Sequence, residues 1–214
     1  MNLAIAGDDD PGSRAENLRL VLDDFAPGAD VADLHQVHGA NVDVVEQRRS
    51  PERPDADGVV TARPDVVLVV RAADCVPVLL ADRAAGVVGA AHAGRPGVAA
   101  GVVTVTVERM RDLGAAGISA WVGPHVCGRC YEVPREMRAE VAAVEPTTLA
   151  TTSWGTPALD LGAGVRAQLE RSGVEVHDVS RCTRESPELF SYRRDGRRAG
   201  RLAGLIRVRT EESR

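Results

Sequence analysis

The chain contains no lysine: all 26 basic side chains among its 214 residues are arginine. A biased genome composition accounts for such a replacement, but the chemical consequence stands. No Schiff-base amine or P-loop cation is available, and a bound phosphate has to be gripped by planar guanidinium forks. Aromatic residues are scarce too, with two each of Phe, Trp and Tyr. The core must then be built of Val, Leu and Ala, leaving little for an aromatic cage or a base-stacking platform. A net charge of −5 and a pI near 5.6 give no general attraction to nucleic acid or anionic lipid. No apolar run reaches membrane length, and the N-terminus lacks a charged segment followed by an apolar one. The four cysteines are accordingly expected as reduced thiols in a cytoplasmic protein. Several dedicated motifs are missing as well: the Gly-x-Ser-x-Gly elbow, His-Glu-x-x-His, the Walker loop, and the zinc-deaminase pair His-x-Glu with Pro-Cys-x-x-Cys.

What is present reads as a globular domain over residues 1–214, 44% apolar and 27% charged. Its centre is the run from Val66 to Gly97, with three Val-rich strands expected at Val66–Arg71, Val76–Ala81 and Val87–Ala91. Ahead of it, the acidic turn at residues 8–12 precedes a helix from Ser13 to Phe25, with Leu18, Val21, Leu22 and Phe25 on one face. Strands are expected at Leu34–Gly39, Val42–Glu46 and Asp57–Thr61, with residues 48–56 as a loop. Behind it, a helix is expected from Val98 to Leu113, another from Pro134 to Val144, and a third capped by Asp160 and stopped at Gly173. Strands at Ile118–Val122, Val174–Val179 and Leu202–Val208, with a polar loop from Cys182 to Asp195, complete the pattern. Short turns between neighbouring strands favour a mixed sheet over a Rossmann unit.

Chemistry concentrates at strand ends. Cys75 and His92 fall where expected strands begin or end, and with His38, far from both in sequence, they would make up a mixed N and S set. Three such ligands suit a catalytic zinc with an open position, while a Cys–His pair alone also suits a nucleophile and its base. In a strand, His35 and His38 would face opposite ways, so only one can join the site. Cys127-Gly-Arg-Cys130 is a Cys-x-x-Cys that reads as a redox pair, half a zinc site or coincidence; His35 and His38 would complete it only by an opportunistic reuse. Arg193 and Arg194, with Tyr192 beside them, are the first candidates to hold phosphate and substrate, and Arg71 stands behind them. Asp74, next to Cys75, is a candidate for fixing substrate or assisting proton transfer.

Taken in order, His35-Gln-Val-His38-Gly39, Ala73-Asp74-Cys75-Val-Pro77, Ala91-His92-Ala93-Gly94, Gly123-Pro124 with Tyr131-Glu132-Val133, Arg181-Cys182-Thr183, and Phe190-Ser-Tyr-Arg-Arg-Asp-Gly with Gly200-Arg201 resemble the multicopper polyphenol oxidoreductase laccase family. That family is also described as a peptidoglycan editing factor and as purine nucleoside phosphorylases. The resemblance runs from Asn2 to Val208. It implies an α+β fold in four layers, two stacked mixed sheets with helices outside. It implies a zinc on His38, Cys75 and His92, with His35 not the matching histidine. It also implies phosphorolysis of adenosine, inosine and related nucleosides, with adenosine deamination as a side activity, in a monomer or small homo-oligomer. Five histidines are too few for the imidazole-rich copper set of a true multicopper oxidase. Two departures stand out: Arg95-Pro96-Gly97 replaces the family's Trp-Arg-Gly, and the chain starts at the segment matching Asn2-Leu3-Ala4, without a leading strand. A Cys–His hydrolase with Cys75 as nucleophile and a zinc-stabilised interaction domain remain as alternatives.

Overall fold

The computed structural model describes residues 1–7, 9–46 and 53–209. Of the loop expected at 48–56, residues 48–52 lie outside that range, as does residue 8 of the acidic turn. The elements in order are α1 (Pro11–Phe25), β1 (Asp30–Ala32), β2 (Val42–Val44), β3 (Gly58–Thr61), β4 (Val66–Ala72), β5 (Val76–Asp82), β6 (Val87–Ala93), α2 (Arg95–Ala99), α3 (Val102–Asp112), β7 (Ser119–Val122), α4 (Arg135–Val144), β8 (Leu149–Thr151), β9 (Pro157–Leu159), α5 (Leu161–Arg171), β10 (Glu175–Asp178), α6 (Tyr192–Asp195) and β11 (Leu202–Arg207). None of the described helices is long and apolar enough to cross a membrane.

Four layers follow from how the Val-rich strands hide both faces. All seven residues of β4 are buried. Val67 and Val69 face α1, together with Leu22 and Ala26, while Val66, Leu68 and Val70 face the second sheet. Each fully buried Val is worth roughly 1.5–3 kcal/mol, so β4 alone anchors the stack of sheets. It sits in the middle of a three-stranded sheet ordered β1-β4-β11, parallel on one side and antiparallel on the other. The larger sheet is ordered β10-β7-β5-β6-β3-β2 and is also mixed. Its far face packs on the later helices through Val78, Leu80, Val107, Met110, Val165 and Leu169. The expected sandwich of two mixed sheets with helices outside is therefore observed.

Three local expectations differ from the structure. Residues 34–39 are not a strand; β1 ends at Ala32, and beyond it only His35 makes an isolated bridge, to Asp55. The reason is a carboxylate: Asp57 accepts the N–H groups of Val37, His38 and Gly39 that a strand partner would otherwise take. The helix expected from Val98 to Leu113 is two helices, because Gly101 adopts φ 76° and caps α3 from the left-handed region. Residues 192–195 form a short helix, α6, inside the expected loop; Ser191 caps it by accepting from Arg194 N–H. The helix capped by Asp160 begins as expected, with the carboxylate accepting from Ala163 N–H at 2.8 Å.

Candidate metal centre and the cavity around it

Sheet register brings Cys75 and His92 together. β5 and β6 pair Val76 with Ala93 and Pro77 with His92, so Cys75, one residue ahead of β5, lies beside the end of β6. Alternation settles the face. Leu79 and Ala81 in β5, and Val88 and Ala90 in β6, look towards the smaller sheet, and Cys75 and His92 keep the same parity. His92 lies within β6 rather than beyond its end and is 3% exposed. His38 arrives from the 34–39 loop at φ 61°, and Asp74 precedes Cys75 at φ 91°. Two non-glycine residues in the left-handed region flank one site, a strain that folds retain where geometry matters.

The result is a cluster. The ligand atoms of His38, Cys75 and His92 lie within 4.8 Å of one another, and Cys75 Sγ is 3.7 Å from His38 Nε2. The two imidazole rings meet edge to face at 4.8 Å. His92 uses Nδ1 on Asp57 at 2.8 Å, which leaves Nε2 for the cluster. Asp57, fully buried, also accepts His38 N–H at 3.0 Å and Gly39 N–H at 2.6 Å, so one carboxylate orients both histidines. This carboxylate–histidine arrangement is how proteins fix a metal-ligating imidazole. Asp57 was read from sequence only as a strand start; Pro-Asp-Ala-Asp-Gly looks like a turn, and nothing local distinguishes a carboxylate that caps a distant loop.

The electrostatics match the geometry. Burial opposes ionisation of Cys75, but hydrogen bonds and charge from His38 and His92 outweigh it and bring the thiol down to about 6. Burial likewise opposes a charged His92, and Asp57 and Cys75 override it to lift the imidazole to about 9. In metal-free protein, Cys75 is therefore a thiolate from about pH 6 upward. Burial pushes the Cys127 and Cys130 thiols the other way. Alkylation of Cys75 in metal-free protein should be half-maximal near pH 6 and run ahead of Cys127 and Cys130, whereas a free thiol needs about pH 8.5. Peptide mapping after iodoacetamide across pH 5–9 checks this; a rise only above about pH 8 would contradict the thiolate–imidazole arrangement.

The donors fit a zinc ion: two neutral nitrogens, one thiolate, and one face open to a cavity. Of the other histidines, His35 is bound to Asp55, His125 contacts the Gly123 carbonyl, and His177 stacks on Trp121. None of the methionines lines the cavity, so the axial thioether of a blue-copper centre has no source here. Close approach is enforced at Gly94, where an added Cβ would lie 2.5 Å from His38 Cδ2 and 3.3 Å from Cys75 Sγ. Gly94→Ala should push the His38 ring aside and weaken metal binding by at least about tenfold, an effect of the size seen when ligand orientation is lost. Zinc titration against a competing chelator measures it, and circular dichroism should show the fold intact.

The cavity over this cluster has a volume of about 930 Å³. That is near the upper end of the roughly 300–1,000 Å³ usual for small-molecule sites. Arg71, Arg95, Arg193 and Arg201 bring positive charge to its walls, and Tyr131 and Tyr192 bring rings. Arg71 is buried and paired with Asp33, and its backbone N–H donates to Gln36 Oε1. Arg193 lies 4.4 Å over the Tyr131 ring and donates to the Glu132 carbonyl at 2.8 Å. Arg95, the first residue of α2, makes no side-chain hydrogen bond or ion pair among the described residues and lines the cavity. Arg194 does not reach the cavity: its guanidinium is spent on Asp195 and on the carbonyls of Thr183, Ser186 and Leu189. Asp74 lines the cavity, but its two oxygens accept from Thr183 Oγ1 and Arg193 N–H, each at 2.6 Å. It ties the C-terminal segment to the ligand loop.

The multi-copper polyphenol oxidoreductase laccase family matches residues 1–209. The chain belongs to that family. This laccase-family chain is 56% identical over 213 residues to a Streptomyces coelicolor protein named purine nucleoside phosphorylase, covering 96% of the chain and 87% of that relative. It is 53% identical to a Streptomyces griseus protein of the same name, covering 96% and 86%. Among solved structures, it resembles a Neisseria meningitidis protein with TM-score 0.85 at 34% identity, covering 98% of this chain and 86% of the other. YlmD from Geobacillus stearothermophilus gives TM-score 0.85 at 30% identity, covering 98% and 85%. This laccase-family chain thus shares its sequence with relatives whose name describes phosphorolysis, and its fold with the Neisseria and Geobacillus proteins.

Proposed function

We propose that the chain is a zinc-dependent purine nucleoside phosphorylase, with His38, Cys75 and His92 as the metal ligands. The observation that carries this reading is the His2Cys cluster at the floor of an arginine-rimmed cavity. The 56% identity to a protein named for the same reaction supports it. In the reaction, a phosphate oxygen bonds to the anomeric carbon of the nucleoside, the bond from that carbon to the purine nitrogen breaks, and the base leaves with the proton that the hydrogen phosphate gives up. Ribose 1-phosphate and free base are the products. A zinc held by His38, Cys75 and His92 would supply Lewis-acid catalysis.

The chain's own residues have to bring two anion-bearing and ring-bearing partners together. Arg95 has its guanidinium free for phosphate and Arg193 adds charge, while Arg71 is already matched by Asp33. Tyr192, half exposed, offers a ring at the cavity wall for the purine, while Tyr131 carries the Arg193 guanidinium over its ring. Asp74 holds Arg193 and Thr183 in place through its two accepted bonds, which makes it a positioning residue in this reading rather than an acid or base. Incubation with inosine or adenosine plus phosphate, followed by chromatography, should release hypoxanthine or adenine together with ribose 1-phosphate. Base released without phosphate dependence would replace phosphorolysis with hydrolysis; no base at all would remove the proposal.

A further inference from the structure

Three of the chain's four cysteines meet at a second place. Cys127 and Cys130 lie on the loop between β7 and α4, and Cys182 and Glu185 lie on the segment after β10. Their ligand atoms are all within 4.8 Å of one another. The spacing is Cys-x-x-Cys followed much later by Cys-x-x-Glu, two close pairs contributed by separate segments. Two close pairs are the spacing of a structural metal site, here with a carboxylate where the usual sets have Cys or His.

The backbone supports both pairs. Cys130 N–H donates to the Cys127 carbonyl at 2.9 Å, and Ser186 N–H to the Cys182 carbonyl at 3.1 Å, so each pair is carried on a tight turn. The two turns are pinned together next to the cluster: His125 N–H donates to the Arg181 carbonyl and Thr183 N–H to the His125 carbonyl, at 3.1 and 3.0 Å. Cys130 is buried, Cys127 and Cys182 are partly so, and Glu185 closes the group from the solvent side, accepting from Cys130 Sγ at 3.3 Å. Three sulfurs and a carboxylate from two segments converge without any basic side chain bonded to them among the described residues.

We propose that Cys127, Cys130, Cys182 and Glu185 bind a second metal ion, a zinc with a structural role. The sulfur-rich set selects a thiophilic divalent ion over magnesium or calcium, and four protein ligands would leave no open position for chemistry on a four-coordinate zinc. Binding exchanges the thiol protons for the metal. Its structural consequence is a clamp. The 182–185 segment carries Thr183, which holds Asp74, and the 127–130 loop runs into Tyr131 at the cavity wall. The clamp thereby fixes one wall of the first site without touching its ligands.

Metal analysis of protein dialysed against a weak chelator tests this. Wild type should hold two zinc equivalents per chain. Cys75→Ser should keep one, and its X-ray absorption edge should report sulfur-dominated ligation. Cys182→Ser should keep one, with mixed nitrogen and sulfur ligation and a lower melting temperature. If Cys182→Ser does not fold, the Cys75→Ser protein decides alone. One equivalent in wild type and none in Cys75→Ser would overturn the proposal. So would a disulfide among the three cysteines in protein alkylated under native conditions, which mass spectrometry reads directly. Neither result depends on whether the chain is a phosphorylase.

Discussion

Cys75→Ala should lose the metal of the His38–Cys75–His92 cluster and phosphorolysis together, while the fold survives. Cys75 is half-buried and lies in a turn ahead of β5, so its removal leaves a small void at the cavity floor rather than in either core. What it removes is the only anionic donor of the set, the thiolate that two imidazoles hold down to about 6. Loss of a partner that merely orients a ligand costs roughly 10–100-fold in metal affinity or activity. Loss of the ligand itself should exceed that, and product chromatography should find activity down by more than about 100-fold. The variant's melting temperature should equal that of wild type emptied at this cluster alone, since the second group of ligands does not include Cys75. Cys75→His separates ligand from nucleophile: an imidazole can restore a three-nitrogen zinc set, so partial recovery of metal and turnover supports the ligand role. Metal recovery with no turnover at all, alongside covalent trapping of substrate on wild-type Cys75, would favour the nucleophile.

How far this site could be read without coordinates depends on distance along the chain. The pairing of Cys75 with His92 was legible because two Val-rich strands joined by a short turn must run antiparallel. A residue just before one then meets a residue near the end of the other, as the pairing of Val76 with Ala93 shows. The four layers were legible for a similar reason: β4 is apolar on both faces and has to be covered twice. His38 was found as a residue type but in the wrong local structure. Its loop is shaped by Asp57, nearly twenty positions away, and the N–H groups that looked ready for a strand are taken by that carboxylate. The same limit hid the second cluster. Cys127-Gly-Arg-Cys130 lacked a visible partner because its partner is Cys-x-x-Glu, whose fourth ligand is not a cysteine and whose position is set by a backbone bridge from His125 to Cys182. Arg194 failed in the opposite direction: it sits beside Arg193 in sequence, but a four-residue helix turns it onto backbone carbonyls.

Asp57→Asn should be the most damaging conservative change in the chain. The Asp57 side chain is fully buried and accepts four bonds, from Val37, His38 and Gly39 N–H and from His92 Nδ1. An amide of the same shape keeps one acceptor oxygen and turns two N–H donors towards groups that are already donors. Breaking a buried charged pair in this way costs about 3–5 kcal/mol, against a total stability of about 5–15 kcal/mol. Metal affinity should fall by roughly 10–100-fold as both histidines lose their orientation. The dependence on pH follows from the shifts. Burial would raise the Asp57 carboxyl, but His92 and the backbone N–H groups hold it below its unfolded 3.8, so its contribution is complete above that value and is lost in stronger acid. His92 is raised from 6.5 to about 9, so its contribution is complete below 6.5 and disappears as pH rises through about 9. In metal-free protein, the gap in unfolding free energy between wild type and variant should therefore be widest between about pH 4 and pH 6.5, narrowing on both sides. Urea unfolding across that range measures the gap directly. A gap that is flat with pH, or below about 1 kcal/mol throughout, would show that Asp57 does not hold the two histidines as a charged hub.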